Sequence, residues 1–420
     1  MDNLRRLPEK MVTKTVEETF EQILSNTQVK EGLEFIKLDN ERTVAEQMEL
    51  TAISAPTFQE EARGEVYKTR LIELGLKDVS VDSTGNVFGV REGSGNGPKL
   101  VVSAHLDTVF PEGTDVKPTL KDGKIYAPGI ADDGRGLAVV LTMVRALDKA
   151  NIQTGADIIF CATVGEEGLG DLRGVKALFQ NRDDIDGFIS IEPGDPERTT
   201  YLATGSHRYN VTYTGPGGHS FGDFGKPSAI HALGRAIAKI SELKVPQDPK
   251  TTFTVGTIKG GTSVNTIAQN ASMLVDIRST SHEELLKAEE QILAAIELAA
   301  EEENNRWRTD SIKVELELVG DRPAGSQSPE AVIVQTALAA TKALGFKQIL
   351  DSPSSTDSNV PISLGIPAVT LGGGGKFGGV HTLNEFFDPT DAYFGAQKIF
   401  LTILSLAGIQ EVSEPLLQKR

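Results

Sequence analysis

The chain is poor in cysteine: Cys161 stands alone, so no intrachain disulfide can close and a cysteine-based zinc site has no ligand set, which suits a reducing compartment. Any metal must sit on His, Asp and Glu. Positive charge is also short, with 42 Lys and Arg against 59 Asp and Glu and a net charge of −17, a field that repels phosphate backbones and anionic lipid surfaces. No run approaches the ~20 apolar residues that span a bilayer. The N-terminal MDNLRRLPEKMVTKTVEETFEQIL alternates charged and apolar residues and lacks the stretch of ~7–15 apolar residues of a secretory leader. These absences predict a soluble, cytoplasmic protein with no nucleic-acid and no membrane partner. A serine-hydrolase elbow, G-x-S-x-G after a strand, is missing. The glycine loop GSGNG at Gly93–Gly97 lacks the lysine-serine pair of a phosphate loop and reads as a hairpin turn.

What is present is a globular composition, with 39% hydrophobic residues and 42 glycines in 420 positions. At about 100–200 residues per domain, that length suits two or three domains. Segments of strand and helix alternate from about residue 44: a helical pattern over Val44–Leu74, strands at Val79–Asp82, Val87–Val90 and Leu100–Ala104, a helix at Gly136–Ala150, a strand at Asp157–Val164, a helix near Val175–Gln180 and a strand at Gly187–Ile191. This is an α/β layered pattern. Residues 205–322 then read strand (His207–Thr214), helix (Ser228–Leu243), strands (Thr252–Lys259, Ala268–Arg278), helix (Glu283–Glu303) and strand (Ser311–Val319), the β-α-β-β-α-β order of a ferredoxin-like domain. After residue 323 the first texture returns, with a helix at Glu330–Leu344 and a strand at Ala368–Leu371. The expected architecture is a mixed-sheet α/β domain, residues 1–204 and 323–420, with 1–40 as an N-terminal extension, interrupted by an inserted ferredoxin-like α+β domain at 205–322.

The chemistry-bearing residues gather at predicted strand ends. His105 and Asp107, in AHLDT, follow an apolar strand and are two apart, so they share a direction in extended chain. Such a pair suits a metal ligand and the carboxylate that orients it, or an ordinary polar turn. Asp132 and Asp133, in GIADDGRG, precede a helix, where capping alone explains carboxylates. Glu166 and Glu167, in TVGEEGLG, follow another strand, and strand alternation would point them oppositely, one towards a metal and one towards its water. Glu192 ends a third strand. His381 follows the glycine-rich GGGGKFGG, a flexible loop on composition. His207, His231 and His282 have no acidic partner at metal spacing and read as ordinary surface or packing residues, while the acidic helix over Glu283–Glu303 reads as a solvated face. Two zinc ions ~3.5–4 Å apart can share one carboxylate and one hydroxide, and three carboxylates with that hydroxide balance their charge.

With these motifs in this order, most of the chain after about residue 40 resembles the dinuclear zinc exopeptidases and deacylases, a family that includes glutamate carboxypeptidase, aminoacylase and peptidase T. The resemblance implies a zinc metallopeptidase that cleaves a terminal amide bond through a hydroxide bridging two Zn²⁺ ions, with Co²⁺ or Mn²⁺ as substitutes. It implies that His105, Asp132, Glu167, Glu192 and His381 bind metal, with Asp132 bridging, that Asp107 orients His105, and that Glu166 is the general base. In the insert, His219 (GPGGHS) falls where members offer a histidine to the partner's active site in a homodimer, and Asn265 (GGTSVNTIA) and Arg278 (LVDIRS) where substrate carboxylates are held. The texture is peptidase T-like. Yet Glu192 stands where carboxypeptidases and deacylases tend to carry Glu and aminopeptidases Asp, so substrates of either kind, a short peptide or an N-acyl amino acid, remain open. A silent metal-binding scaffold on the same fold is the alternative of another class.

Overall fold

A computed structural model describes residues 13–420; the first half of the N-terminal segment MDNLRRLPEKMVTKTVEETFEQIL lies outside them. The strands Lys99–His105, Asp157–Thr163, Gly187–Glu192 and Ala368–Gly372 are buried on both faces, which is why each reads as an unbroken apolar run. They lie parallel, in the order 157–163, 99–105, 187–192, 368–372, at the centre of an eight-stranded sheet. Val87–Arg91 and then Lys77–Val81 extend one side in antiparallel pairing, and Arg198–Thr200 lies antiparallel on the other side. The sheet is therefore mixed. Parallel pairing brings the C-terminal ends of the four central strands to one edge, where the loops of an open α/β sheet bind ligands.

Helices cover this sheet. Gly134–Lys149 is buried along nearly its whole length, and Tyr393–Ala407 is apolar enough to be buried from Gly395 onward. The region expected as an N-terminal extension is instead part of this core from Lys14 on. The helices Lys14–Ser25 and Thr27–Leu38 bury Val16, Phe20, Ile23, Val29 and Ile36 in the same apolar cluster as the sheet. The single helical pattern over 44–74 is two helices, Asn40–Thr51 and Glu61–Glu73, separated by a segment containing Pro56, whose ring cannot continue a helix.

Two further expectations are corrected. Val87–Arg91 and Lys99–His105 both pair with Asp157–Thr163 and not with each other, so GSGNG is no hairpin turn. It passes over the start of the strand between them, so closely that a Cβ on Gly97 would lie 2.4 Å from the Gly155 carbonyl oxygen. The GGGGKFGG segment is not a loose loop: Lys376–Gly378 is a strand in a small four-stranded sheet, ordered 376–378, 386–388, 124–126, 119–121. Gly374 there has φ +83°, and a Cβ would meet the Ala392 carbonyl oxygen at 2.2 Å.

By its contacts the chain divides into two units, one formed by the chain up to Leu202 with Ser326–Arg420, the other Ala203–Gly325. The second unit is a four-stranded antiparallel sheet in the order 251–260, 270–279, 205–214, 313–322, with the helices Ala229–Ser241 and His282–Trp307 packed on one face. That order is the ferredoxin-like one. His207 is not an ordinary residue in it. It is buried between Glu289, whose Oε1 is 2.9 Å from Nδ1, and Asp321, whose Oδ1 is 3.3 Å from Nε2. His231 is exposed, with its Nδ1 3.6 Å from Glu303. Among the described residues, no helix is long and apolar enough to cross a membrane.

Ile23 is fully buried in the main core, so Ile23→Ala should cost ~2–5 kcal/mol of unfolding free energy, read from the urea midpoint. A shift near zero would show that the first helix is a loose appendage.

Candidate metal centre

Four of the candidates of the first unit stand where strands of the large sheet end. His105 is the last residue of its strand, Glu192 the last of the next, and Glu166 and Glu167 follow the strand ending at Thr163. His105 is 1% exposed, and its ring is fixed from behind: Nδ1 lies 2.9 Å from the Asp107 carbonyl oxygen, so Nδ1 donates and the Nε2 lone pair faces the site. That Nε2 is 3.0 Å from Asp132 Oδ1 and 3.8 Å from Glu192 Oε2. The other oxygen of Asp132, Oδ2, is 3.1 Å from His381 Nε2, which is also 3.0 Å from Glu167 Oε1. The result is two three-residue groups, His105–Asp132–Glu192 and Asp132–Glu167–His381, which share one carboxylate.

The carboxylate of Asp107 lies 3.6 Å from His105 Nδ1, and its main work is elsewhere. It accepts the N–H of Glu166 on Oδ1 and the N–H of Glu167 on Oδ2, each at 3.0 Å, and the Thr57 hydroxyl at 2.8 Å. Asp107 thus pins the backbone from which both glutamates project. Those glutamates do not point oppositely, because the strand ended three residues earlier; His105, Glu166 and Glu167 form a third group able to surround one ion.

Capping and ligation, the two readings of Asp132–Asp133, divide between the neighbours. Asp133 is the cap, accepting the Gly136 N–H on Oδ1 and the His105 N–H on Oδ2, each at 3.0 Å. Asp132 turns to the imidazoles. Its loop is held by a residue that sequence reasoning missed, Glu385, whose only signal was an acid opening the apolar pair Phe386–Phe387 four residues after His381. Arg135 was missed as well; buried as the second residue of the helix, it donates from Nε to the Gly373 carbonyl and from Nη2 to the Ala392 carbonyl, both at 2.9 Å. It fixes the glycine-rich segment that leads to His381. His381 itself is half-exposed with φ +63°, a left-handed conformation uncommon outside glycine.

The electrostatics are those of a site built for cations. Burial works against a charged His105, but hydrogen bonds to Asp107 and Asp132 outweigh it and hold its pKa well above the ordinary value. Hydrogen bonds to Asp132 and Glu167 push His381 up to about 10. Burial raises Glu192 well above the usual carboxylate range, and its Oε1 is buried with no hydrogen-bond partner. The two imidazoles and the unpartnered buried carboxylate oxygen are donors of the types a divalent ion takes. The spacing fits: ligands at ~2.0–2.2 Å from one tetrahedral ion lie roughly 3.3–3.6 Å apart, against 3.0–3.8 Å for the pairs here. A cavity of about 380 Å³, walled by Glu192, Asp195, Arg198, Asp351, Lys376 and Phe377, opens beside this edge of the sheet.

The remaining candidates belong to the second unit. Gly218–His219 pairs with Thr266–Ile267, and the Ser220 N–H donates to the Asn265 carbonyl, so His219 and Asn265 are neighbours. His219 Nδ1 accepts the N–H groups of Phe221 and Gly222 at 3.2 Å each, which leaves the ring proton of the neutral imidazole on Nε2. Arg278 is not with them. It lies near the far end of the strand Asn270–Ser279, eight residues or about 26 Å from Asn270, with its Nε held by Asp276 at 2.7 Å.

The family model of Peptidase family M20/M25/M40 matches residues 101–405. The chain is 28% identical over 363 residues to YqjE of Bacillus subtilis strain 168, an uncharacterized protein, covering 83% of this chain and 94% of that one. The aminopeptidase PepT of Bacillus cereus ATCC 10987 superposes with a TM-score of 0.70 at 28% identity, covering 87% of this chain and 98% of that one. A tripeptidase of Staphylococcus aureus Mu50 superposes with a TM-score of 0.73 at 27% identity, covering 87% and 97%.

Proposed function

The chain belongs to peptidase family M20/M25/M40 and is a metal-dependent peptidase or amidohydrolase; from that premise we propose a dinuclear zinc aminopeptidase acting on short peptides. The observation that carries the reading is the Asp132 carboxylate, with one oxygen on each of two imidazoles. Likeness along nearly the full length to a tripeptidase and to PepT supports a short peptide as substrate. His105 and Glu192 would hold one ion, Glu167 and His381 the other, and Asp132 both. Zn²⁺ suits the nitrogen and carboxylate donors, with Co²⁺ or Mn²⁺ as substitutes. Bound divalent ions lower the pKa of a coordinated water towards ~7 and polarise the scissile carbonyl.

The chain's own residues then do the following. Glu166, held by the grip of Asp107 on its N–H, accepts the proton of the attacking water at a carboxylate oxygen and returns it to the leaving amine. Asp107 keeps Glu166 and Glu167 in register. The Nε2–H of His219 is a donor suited to the negative charge that develops on the carbonyl oxygen, a contribution of ~3–4 kcal/mol per donor. Arg278 binds the substrate's carboxylate end through the Nη groups left after Asp276 has taken Nε, and Asn265, which stands beside His219, would reach that carboxylate from the partner chain.

His219 and Arg278 stand about 26 Å or more apart along one insert, too far to share one short peptide. The pair therefore serves two sites, which favours a homodimer in which His219 acts on the partner's substrate. We assign the protein to the cytoplasm on its single cysteine and acidic composition. A second reading, an N-acyl amino acid deacylase or carboxypeptidase, is favoured by one residue, Glu192, for the reason given by the family resemblance.

On a panel of free-amine tripeptides, dipeptides and N-acyl amino acids, the zinc-loaded protein should prefer tripeptides, and turnover confined to N-acyl substrates would assign it to the deacylases. Glu166→Gln should retain both ions and lose roughly 10²–10⁴-fold in kcat, whereas Glu167→Gln should weaken metal binding itself; identical behaviour of the two refutes the division of roles.

His219→Ala chains mixed with Glu166→Gln chains should regain part of the activity, since one site of each mixed dimer keeps both an intact base and an intact histidine. If mixed dimers form and stay inactive, His219 acts within its own chain.

A further inference from the structure

Asp132, the bridging ligand of the reading above, sits on a loop three of whose backbone N–H groups are held by one side chain. Glu385 is completely buried. Its Oε1 accepts the N–H of Ala131 at 2.9 Å and of Asp132 at 3.0 Å, and its Oε2 accepts the N–H of Gly129 at 3.0 Å. Three backbone donors thus converge on one carboxylate, an anion nest whose anion is supplied by the protein. From the opposite direction Gln47 Nε2 donates to the Ile130 carbonyl at 2.7 Å.

Glu385 also belongs to the segment that carries His381. Four residues separate them, the Glu385 N–H donates to the Thr382 carbonyl, and the Glu385 carbonyl accepts the Ala127 N–H. Directly after it, Phe386 and Phe387 pair with Tyr126 and Ile125 in the small four-stranded sheet. Two ligands 249 positions apart in sequence, Asp132 and His381, are therefore set at 3.1 Å by a joint made of that strand pair and this one carboxylate.

We propose that Glu385 is a positioning residue of the metal centre, a clasp that fixes the backbone of Asp132 against the His381 segment so that each Asp132 oxygen meets its own half-site. The proposal rests on the metal-centre reading above. Its chemistry is specific to a carboxylate. In Glu385→Gln the amide nitrogen is a donor, and whichever way it turns it meets one or more N–H groups that also donate. In Glu385→Asp the charge remains but the side chain is one methylene short of the nest.

Calorimetric titration of the metal-stripped full chain with Zn²⁺, and the visible spectrum of the Co²⁺-loaded form, test the clasp without a substrate. Glu385→Gln should weaken one of the two ions 10–100-fold, the usual cost of losing a group that orients a ligand, and change the Co²⁺ bands. With saturating metal, kcat should fall while KM stays close to that of the parent. Gln47→Leu, which cuts a hydrogen bond to the same loop without touching Asp132, should lower the melting temperature and leave affinities and bands as they were. If Glu385→Gln does not fold, Glu385→Asp is read in the same way. Two ions bound with parent affinities and parent Co²⁺ bands in a folded Glu385 variant overturn the clasp. A parent chain that never takes up a second ion overturns the metal reading, and the clasp with it.

Discussion

One carboxylate facing two imidazoles is the constraint on which the structure turns. Asp132 must offer Oδ1 to His105 and Oδ2 to His381 from a buried position, where an ionised group survives only with partners on every lone pair. Hydrogen bonds from the two histidines outweigh burial and keep its pKa low, while burial drives the neighbouring Glu192 up. A carboxylate shared by two imidazoles, with further carboxylates beside it, is a donor set of the kind divalent ions take.

Holding that carboxylate requires four supports that the fold supplies separately. Parallel pairing carries His105 and Glu192 to one edge of the sheet. Asp107 gathers the N–H groups of Glu166 and Glu167. Asp133 caps the following helix and takes the His105 N–H, so Asp132 is locked to His105 through the adjacent residue. Arg135 and Glu385 then secure the late segment that returns His381 to the site. The second unit is organised differently: Arg278 lies near the far end of the long strand Asn270–Ser279, His219 and Asn265 lie at the short strand pair that precedes it, and the hydrogen bonds on His219 Nδ1 prepare Nε2 as a donor.

Most of the central sheet was legible because doubly buried strands are unbroken apolar runs, and His105, Glu192 and the Glu166–Glu167 pair end or follow one; the family assignment from the motif order agrees with the family match over 101–405. What escaped was long-range. The four-stranded sheet uses strands of three residues, too short for a periodic signal, and pairs residues 124–126 with 386–388. Glu385 escaped with it, since its partners lie more than 250 positions away. The first 40 residues read as an extension because the family resemblance began only after them, and the part of the core that Val16, Phe20, Ile23, Val29 and Ile36 join is assembled from distant segments. Adjacent acids at 166–167 misled through strand alternation, a rule that lapsed where the strand stopped at Thr163.

The central claim is that the Asp132 carboxylate joins two metal sites. Anomalous diffraction at the zinc edge from crystals of the loaded protein addresses it directly. The account predicts two peaks ~3.5–4 Å apart, one beside His105 and Glu192 and one beside Glu167 and His381, with the Asp132 carboxylate between them. A single peak at full zinc loading, or two peaks of which only one touches Asp132, would contradict it.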